Sequence, residues 1–126
     1  MQTFVHYFLH IFFPLAIAIV FFKKEWKKTY IILLATMLVD LDHLLASPVF
    51  EAHRCSINYH PLHSYYAILI YIGLLFFKKP FKIIGIGLLF HMVTDLIDCL
   101  FMYNHCADCM AASPAIELLK GISSWL

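Results

Sequence analysis

In the stretch GLLFHMVTDLID (87–98), His91, Asp95 and Asp98 follow one another at i, i+4 and i+7. That spacing puts three side chains on one face of a helix. The same economy recurs along the chain. His6 and His10 are i, i+4, Asp40 and His43 are i, i+3, and His60 and His63 are i, i+3 with Pro61 marking a helix start. Neutral imidazole and carboxylate are the natural ligands of a divalent metal ion, whose charge offsets theirs. Ten groups (His6, His10, Asp40, Asp42, His43, His60, His63, His91, Asp95 and Asp98) exceed what one zinc ion needs. They would serve two ions, or one ion with supporting partners and a general base. The expected ligands are His6, His10, Asp40, His43, His60, His63, His91 and Asp95, which leaves Asp42 and Asp98 as the carboxylates free to move protons. Asp42 is awkward, because a regular helix would point it away from Asp40. Either the helix ends near it or it stands behind the ligands. With imidazole and carboxylate as the donors, zinc, manganese and iron are all possible, and zinc is the first expectation.

The elements that must hold these groups are unusual hosts for them. The chain is 63% hydrophobic and only 13% charged, with mean hydropathy +0.82. A soluble domain of this length carries about a quarter charged residues, so the composition is that of a membrane protein. The net charge of +1 gives no basis for a nucleic-acid partner. The position of charge says more than its sum. Seven of nine basic residues lie in KKEWKK (23–28) and KKPFK (78–82). These clusters mark off four hydrophobic segments near 3–22, 29–47, 62–77 and 83–103, each able to cross a bilayer about 30 Å thick.

The expected fold is therefore all-α, a four-helix transmembrane bundle in a single domain covering 1–126. Both basic clusters fall on the cytoplasmic side if the N-terminus and C-terminus are outside. The first segment lacks a basic leader and a cleavage site, which reads as a retained anchor. The tail 104–126 carries SPAIELLKGISSWL, whose apolar Leu118, Leu119, Ile122, Trp125 and Leu126 suit a short interfacial helix.

Depth counted from the lysines at 1.5 Å per helical residue puts His10, Asp40, His43, His63 and Asp95 at about 18–22 Å, with His91 lower and Asp98 higher. Four segments thus bring His or Asp to one layer in the outer half. His53 and His105 read as ordinary loop residues, and Arg54 as an interface anchor or an anion contact. The inner halves (IAIVFF, YIILLA, ILIYIGLLFF, IIGIGLL) continue no polar path to the cytoplasm. That pattern counts against a transporter and for a site open to the outside or the outer leaflet.

VDLDH (39–43), HPLHS (60–64) and HMVTD (91–95), behind a histidine-bearing first helix, resemble the small bacterial inner-membrane, metal-dependent hydrolases of the LexA-regulated membrane-bound type. Those are grouped distantly with zinc-dependent phospholipase C and the zinc-dependent single-strand nucleases. The family pattern is PDxDH, a histidine-rich HR…HS and a later HxxxD. Here Val39 replaces the proline, and His53–Arg54 stands well before His63, so either His53 or His60 can fill the first histidine role. The resemblance implies a bacterial inner-membrane location and a role for Asp40, Asp42, His43, His63, His91 and Asp95 at the metal, with His6 or His10.

Cys55, Cys99, Cys106 and Cys109 all fall on the expected outer side, where two disulfides have three possible pairings. A link from Cys55 to one of the other three would clamp the roof of the site. CADC (106–109) also opens a second class, a quinone-linked thiol-disulfide oxidoreductase, and a non-catalytic metal sensor is a third. The leading expectation is metal-dependent hydrolysis of a phosphoester. The partners are membrane lipids and a small-molecule or lipid substrate.

Overall fold

A computed structural model describes residues 2–49, 51 and 53–125. Among them every regular element is helical: α1 (Gln2–Phe21), α2 (Trp26–Ala35), α3 (Tyr65–Leu74), α4 (Phe81–His105) and α5 (Ile116–Ser123), with short 3-10 turns between. One 3-10 helix is long. It covers Thr36–Leu45 and continues α2 without a break. The central element is α4, which packs against α1, α2, α3 and α5.

The two longest helices, α1 and α4, are the ones long and apolar enough to cross a membrane. Both lie where the hydropathy places them. The second and third segments depart from expectation in kind. The second is α-helical only to Ala35, and the third is helical over Tyr65–Leu74, shorter than the segment 62–77. His60 and Pro61 end an extended stretch before it, and the Ser64 hydroxyl caps α3 by accepting from the Ala67 N–H. The tail forms α5 as expected, with Leu119 fully buried beside Met110 and Ala115, while Trp125 stays exposed.

Polar side chains share the interior with an apolar core, and many large apolar side chains are exposed. His10, Asp42, His60, His63, His91 and Asp95 are buried, while Phe21, Ile31, Leu45, Tyr66 and Phe76 face outward. The end next to the two lysine clusters, hereafter the inner end with the opposite one the outer end, holds a small apolar core of Ala18, Leu33 and Ile83. Close helix approach closes it. A Cβ on Gly87 would stand 2.6 Å from the Thr36 hydroxyl, and one on Gly85 would stand 2.8 Å from Leu74 Cβ. At the outer end, Cys55 bonds Cys99 and Cys106 bonds Cys109, so the loop after the 3-10 helix is tied to α4 as expected of Cys55.

Candidate metal centre

Four stretches deliver the polar groups to one place. Helix α1 contributes His6 and His10, the Thr36–Leu45 helix Asp40, Asp42 and His43, the turn Pro61–His63 with its cap His60 and His63, and α4 His91, Asp95 and Asp98. The 3-10 geometry resolves the Asp42 puzzle. At three residues per turn, side chains three apart eclipse and form three rows. Thr36, Val39 and Asp42 are buried, Met37, Asp40 and His43 half-buried, and Leu38, Leu41 and Leu44 exposed. Two adjacent rows turn inward, so Asp40 and Asp42 reach the same site although an α-helix would separate them.

His63 stands at the middle. Its Nδ1 lies 3.1 Å from Asp42 Oδ2, and the Leu62 N–H donates to the same oxygen at 2.8 Å. With Nδ1–H given to Asp42, its Nε2 faces Asp95 Oδ2 at 3.1 Å and Asp40 Oδ1 at 3.5 Å. A lone pair opposing two carboxylate oxygens calls for a positive charge between them, a proton or a metal ion. Around this point His43 Nδ1 lies 3.2 Å from Asp42 Oδ1 and 3.5 Å from Asp40 Oδ1. His91 Nε2 donates to Asp40 Oδ1 at 3.0 Å. On the far side of Asp95, Oδ1 faces His10 Nε2 at 3.8 Å, and His6 Nδ1 lies 3.8 Å from Asp98 Oδ2.

Three overlapping sets have ligand atoms all within 4.8 Å of one another: Asp40, His43, His63 and Asp95; His6, His10 and Asp95; and Asp42, His43 and His60. Asp95 belongs to two sets through its two oxygens, and His43 also belongs to two. His91 and Asp98 fall outside them, His91 as a partner of Asp40 and Asp98 beside His6. His60 is the histidine brought to the ligand sets. Its ring stacks on His43 at 3.9 Å, and burial, then the His43 neighbour, holds its imidazole below the ordinary value, in the neutral form a metal needs.

The donor set fits a metal ion on a second ground. Of eight buried side-chain polar atoms without a hydrogen-bond partner among the described residues, seven belong to this cluster: His6 Nδ1, His10 Nε2, Asp42 Oδ1, His43 Nδ1, His63 Nε2, His91 Nδ1 and Asp95 Oδ2. Each such orphan costs about 1–3 kcal/mol. Among the described residues no lysine or arginine pairs with Asp40, Asp42, Asp95 or Asp98; the lysine and arginine ion pairs are Arg54–Glu51, Lys79–Glu25 and Lys120–Glu117. The charge that balances the site must come from the histidines or from a bound cation.

Other residues carry roles the sequence did not disclose. Arg54 is spent inside its own loop, donating to the Pro48 and Val49 carbonyls at 2.6 and 2.5 Å with Tyr59 against its guanidinium. It anchors its own loop and also lines the cavity that opens on the cluster, so both sequence readings of it keep an observation. The Tyr71 hydroxyl donates to the Leu62 carbonyl and steadies the turn that carries His63. A polar cavity of about 420 Å3 opens on the cluster, with Asp95, Asp98 and His6 on its wall, and His53 and His105 line it too. Those two histidines read as loop residues in sequence; His53 comes to the cavity by the folding of its loop over α4, whereas His105 is not in a loop but in the last turn of α4, which runs two residues past the expected end of the segment. The two carboxylates expected to move protons also part company. Asp42 is buried and held by Leu62 and His63, whereas Asp98 is half-exposed on the cavity wall.

An all-helical protein with a buried His/Asp cluster able to hold a metal ion is thus the class that fold and site define. The chain belongs to DUF6122, a family of unknown function, whose match covers residues 1–102. That stretch contains every candidate ligand and stops short of the 106–109 disulfide and α5. No curated protein and no solved structure matches the chain.

Proposed function

We propose that this protein is a membrane-embedded, metal-dependent hydrolase that cleaves a phosphoester of a lipid or other amphiphile from the outer leaflet of a bacterial inner membrane. The observation that carries it is the set of orphaned, buried ligand atoms converging on Asp95 and His63. Zinc is the first candidate, at one or two ions, and manganese or iron suits the same donors. The likeness of VDLDH, HPLHS and HMVTD to the inner-membrane hydrolases supports the same reading. Four spans, with both termini outside, agree with the outward apolar surface and with lysines gathered at one end. The α2 helix with its 3-10 extension is about 35 Å long by rise per residue, enough to cross. Helix α3 is shorter, and its crossing relies on the flanking turns.

When bound, the ion supplies Lewis acidity and a water acidified towards a pKa of about 7. The chain does the rest. Asp98, on the cavity wall and outside the ligand sets, accepts the proton as general base. Asp42 locks the His63 ring, and the buried layer excludes bulk water. Two spaces suit an amphiphile: the polar cavity above the cluster, and an apolar groove of about 480 Å3 lined by Val39, Leu62, Tyr71 and Leu88. Val39 and Leu62 are chain neighbours of Asp40 and His63, so head group and tail would meet at the metal layer.

The test is metal content followed by activity. Protein purified without chelator should retain a divalent ion, and Asp95→Ala should lose it. A panel of lipid phosphoesters, isoprenoid phosphates and chromogenic esters should be cleaved by wild type and not after chelation. Metal-free wild-type protein would refute the centre, and metal-loaded protein inert on the panel would leave a sensing role. A second reading rests on the Cys106–Cys109 pair, a CxxC with Cys109 exposed, which suits thiol-disulfide exchange with a quinone-linked partner. It gives the His/Asp cluster no task.

A further inference from the structure

His43 is shared by two ligand sets, yet its own backbone does little to fix its ring. It sits near the end of the 3-10 helix, which stops at Leu45, where the chain turns into an irregular loop. Its ring is instead gripped from outside. His43 Nε2 lies 3.0 Å from the Ser56 hydroxyl, while Nδ1 points inward to Asp42 and Asp40. The two ring nitrogens of a neutral imidazole divide the work: the one that keeps its proton donates it, and the other offers its lone pair.

We propose that Ser56 is a positioning residue for the metal centre, its hydroxyl accepting from His43 Nε2–H so that Nδ1 is the coordinating atom. The proposal rests on the reading of His43 as a ligand. Ser56 can do this because it is itself fixed. Cys55 and Ile57 on either side are buried, and the Ser56 carbonyl accepts from the N–H groups of Tyr59 and His60. Cys55 is bonded to Cys99, which stands one helical turn beyond Asp95 on α4. The disulfide therefore references the His43 ring to the helix that carries Asp95. A hydroxyl suits the position because it accepts the hydrogen bond without adding a further negative charge to a cluster already rich in carboxylates. His60 closes the other face of the ring by stacking on it.

The experiment measures zinc affinity in detergent by competition with a chromogenic chelator, together with histidine 15N spectra of the zinc-loaded protein. Ser56→Ala should weaken zinc binding about 10–100-fold, while Ser56→Thr, which keeps the hydroxyl, should stay close to wild type. Replacing Cys55 and Cys99 together by alanine should weaken binding like Ser56→Ala, whereas replacing Cys106 and Cys109 together should not. In unsubstituted, zinc-loaded protein the His43 signals should show Nε2 protonated and Nδ1 coordinating, a readout that does not depend on any variant folding. Coordination through Nε2, or Ser56→Ala with wild-type affinity, overturns the proposal. So does Ser56→Thr as weak as Ser56→Ala, because shape and not the hydroxyl would then be responsible. Wild-type protein that takes up no zinc overturns this inference, and protein that takes up neither zinc, manganese nor iron overturns the metal-centre reading itself.

Discussion

The inner and outer ends of this bundle are held together by opposite means. At the inner end, Ala18, Leu33 and Ile83 form a dry core, and glycines on α4 let the neighbouring helices close onto it. Shape alone suffices there. At the outer end a buried polar cluster of His10, Asp42, His60, His63, His91 and Asp95 sits beside a larger apolar core that includes Val39, Ile57, Met92 and Leu119. His10, His91 and Asp95 stand on the regular helices α1 and α4, while Asp42, His60 and His63 ride on a 3-10 helix and a turn held by Arg54 and the Cys55–Cys99 disulfide. The lesson is that the outer half is assembled around a charge that the side chains alone do not balance, while the inner half is complete without it.

The largest effect should come from removing that charge. Chelation should lower stability by the linkage of a tight ligand, about 3–4 kcal/mol when the ion is present at 100–1,000 times its dissociation constant. The loss should be local. Amide hydrogen exchange should accelerate over 36–45 and 53–64 and stay slow around Leu33 and Ile83. Uniform acceleration, or none, would break the division between the two ends.

How much of this was legible depended on whether a local pattern has one solution. Hydropathy and the lysine clusters located α1 and α4 to within a few residues, because a long apolar run has few alternatives. Matching depth brought His10, Asp40, His43, His63 and Asp95 to one layer, spacing added His6 beside His10, and they do meet. The 3-10 helix was not legible, since i, i+3 spacing of Asp40 and His43 suits either helix type. That ambiguity left the direction of Asp42 open. The loop 48–61 was opaque for a different reason. Arg54, Ser56 and His60 find their partners through the disulfide and through turns of low regularity, and no periodicity announces them. His53 reached the cavity by the same unreadable route, and His105 through the extension of α4 to its last turn. The only signal available for Ser56 was its place next to Cys55, once a link from that cysteine to α4 was suspected.

A smaller effect should sharpen the inner half of the comparison. Gly87→Ala places a Cβ 2.6 Å from the Thr36 hydroxyl oxygen and 3.1 Å from Leu33, whereas a Cβ at Gly73 meets nothing within 4 Å. Overpacking of a closed interface costs about 1–3 kcal/mol. Gly73→Ala in α3 should be neutral or stabilising by up to about 1 kcal/mol, through helix propensity. The check is the unfolding midpoint of each variant in the same detergent. Equal tolerance at both positions would mean that the inner core is looser than its close contacts indicate.

The smallest effect is a pH dependence confined to the outer half. His60 is buried and its folded pKa lies below the ordinary value, with burial the main cause and the His43 ring the next. The folded state therefore binds fewer protons than the unfolded chain in the window below about 6.5. Stability carried by neutral His60 is present above that pH and is lost as pH falls towards the depressed folded value. For one proton the slope cannot exceed about 1.4 kcal/mol per pH unit. Metal-free protein isolates this contribution, because ligand protonation would otherwise add metal release to it. Wild type should lose stability between pH 7 and 5 more steeply than His60→Phe, which keeps a ring against His43 but cannot titrate. Parallel pH profiles for the two proteins would show that His60 protonates as readily when folded as when unfolded, and its burial beside His43 would then have to be relieved by local opening of the 53–64 loop.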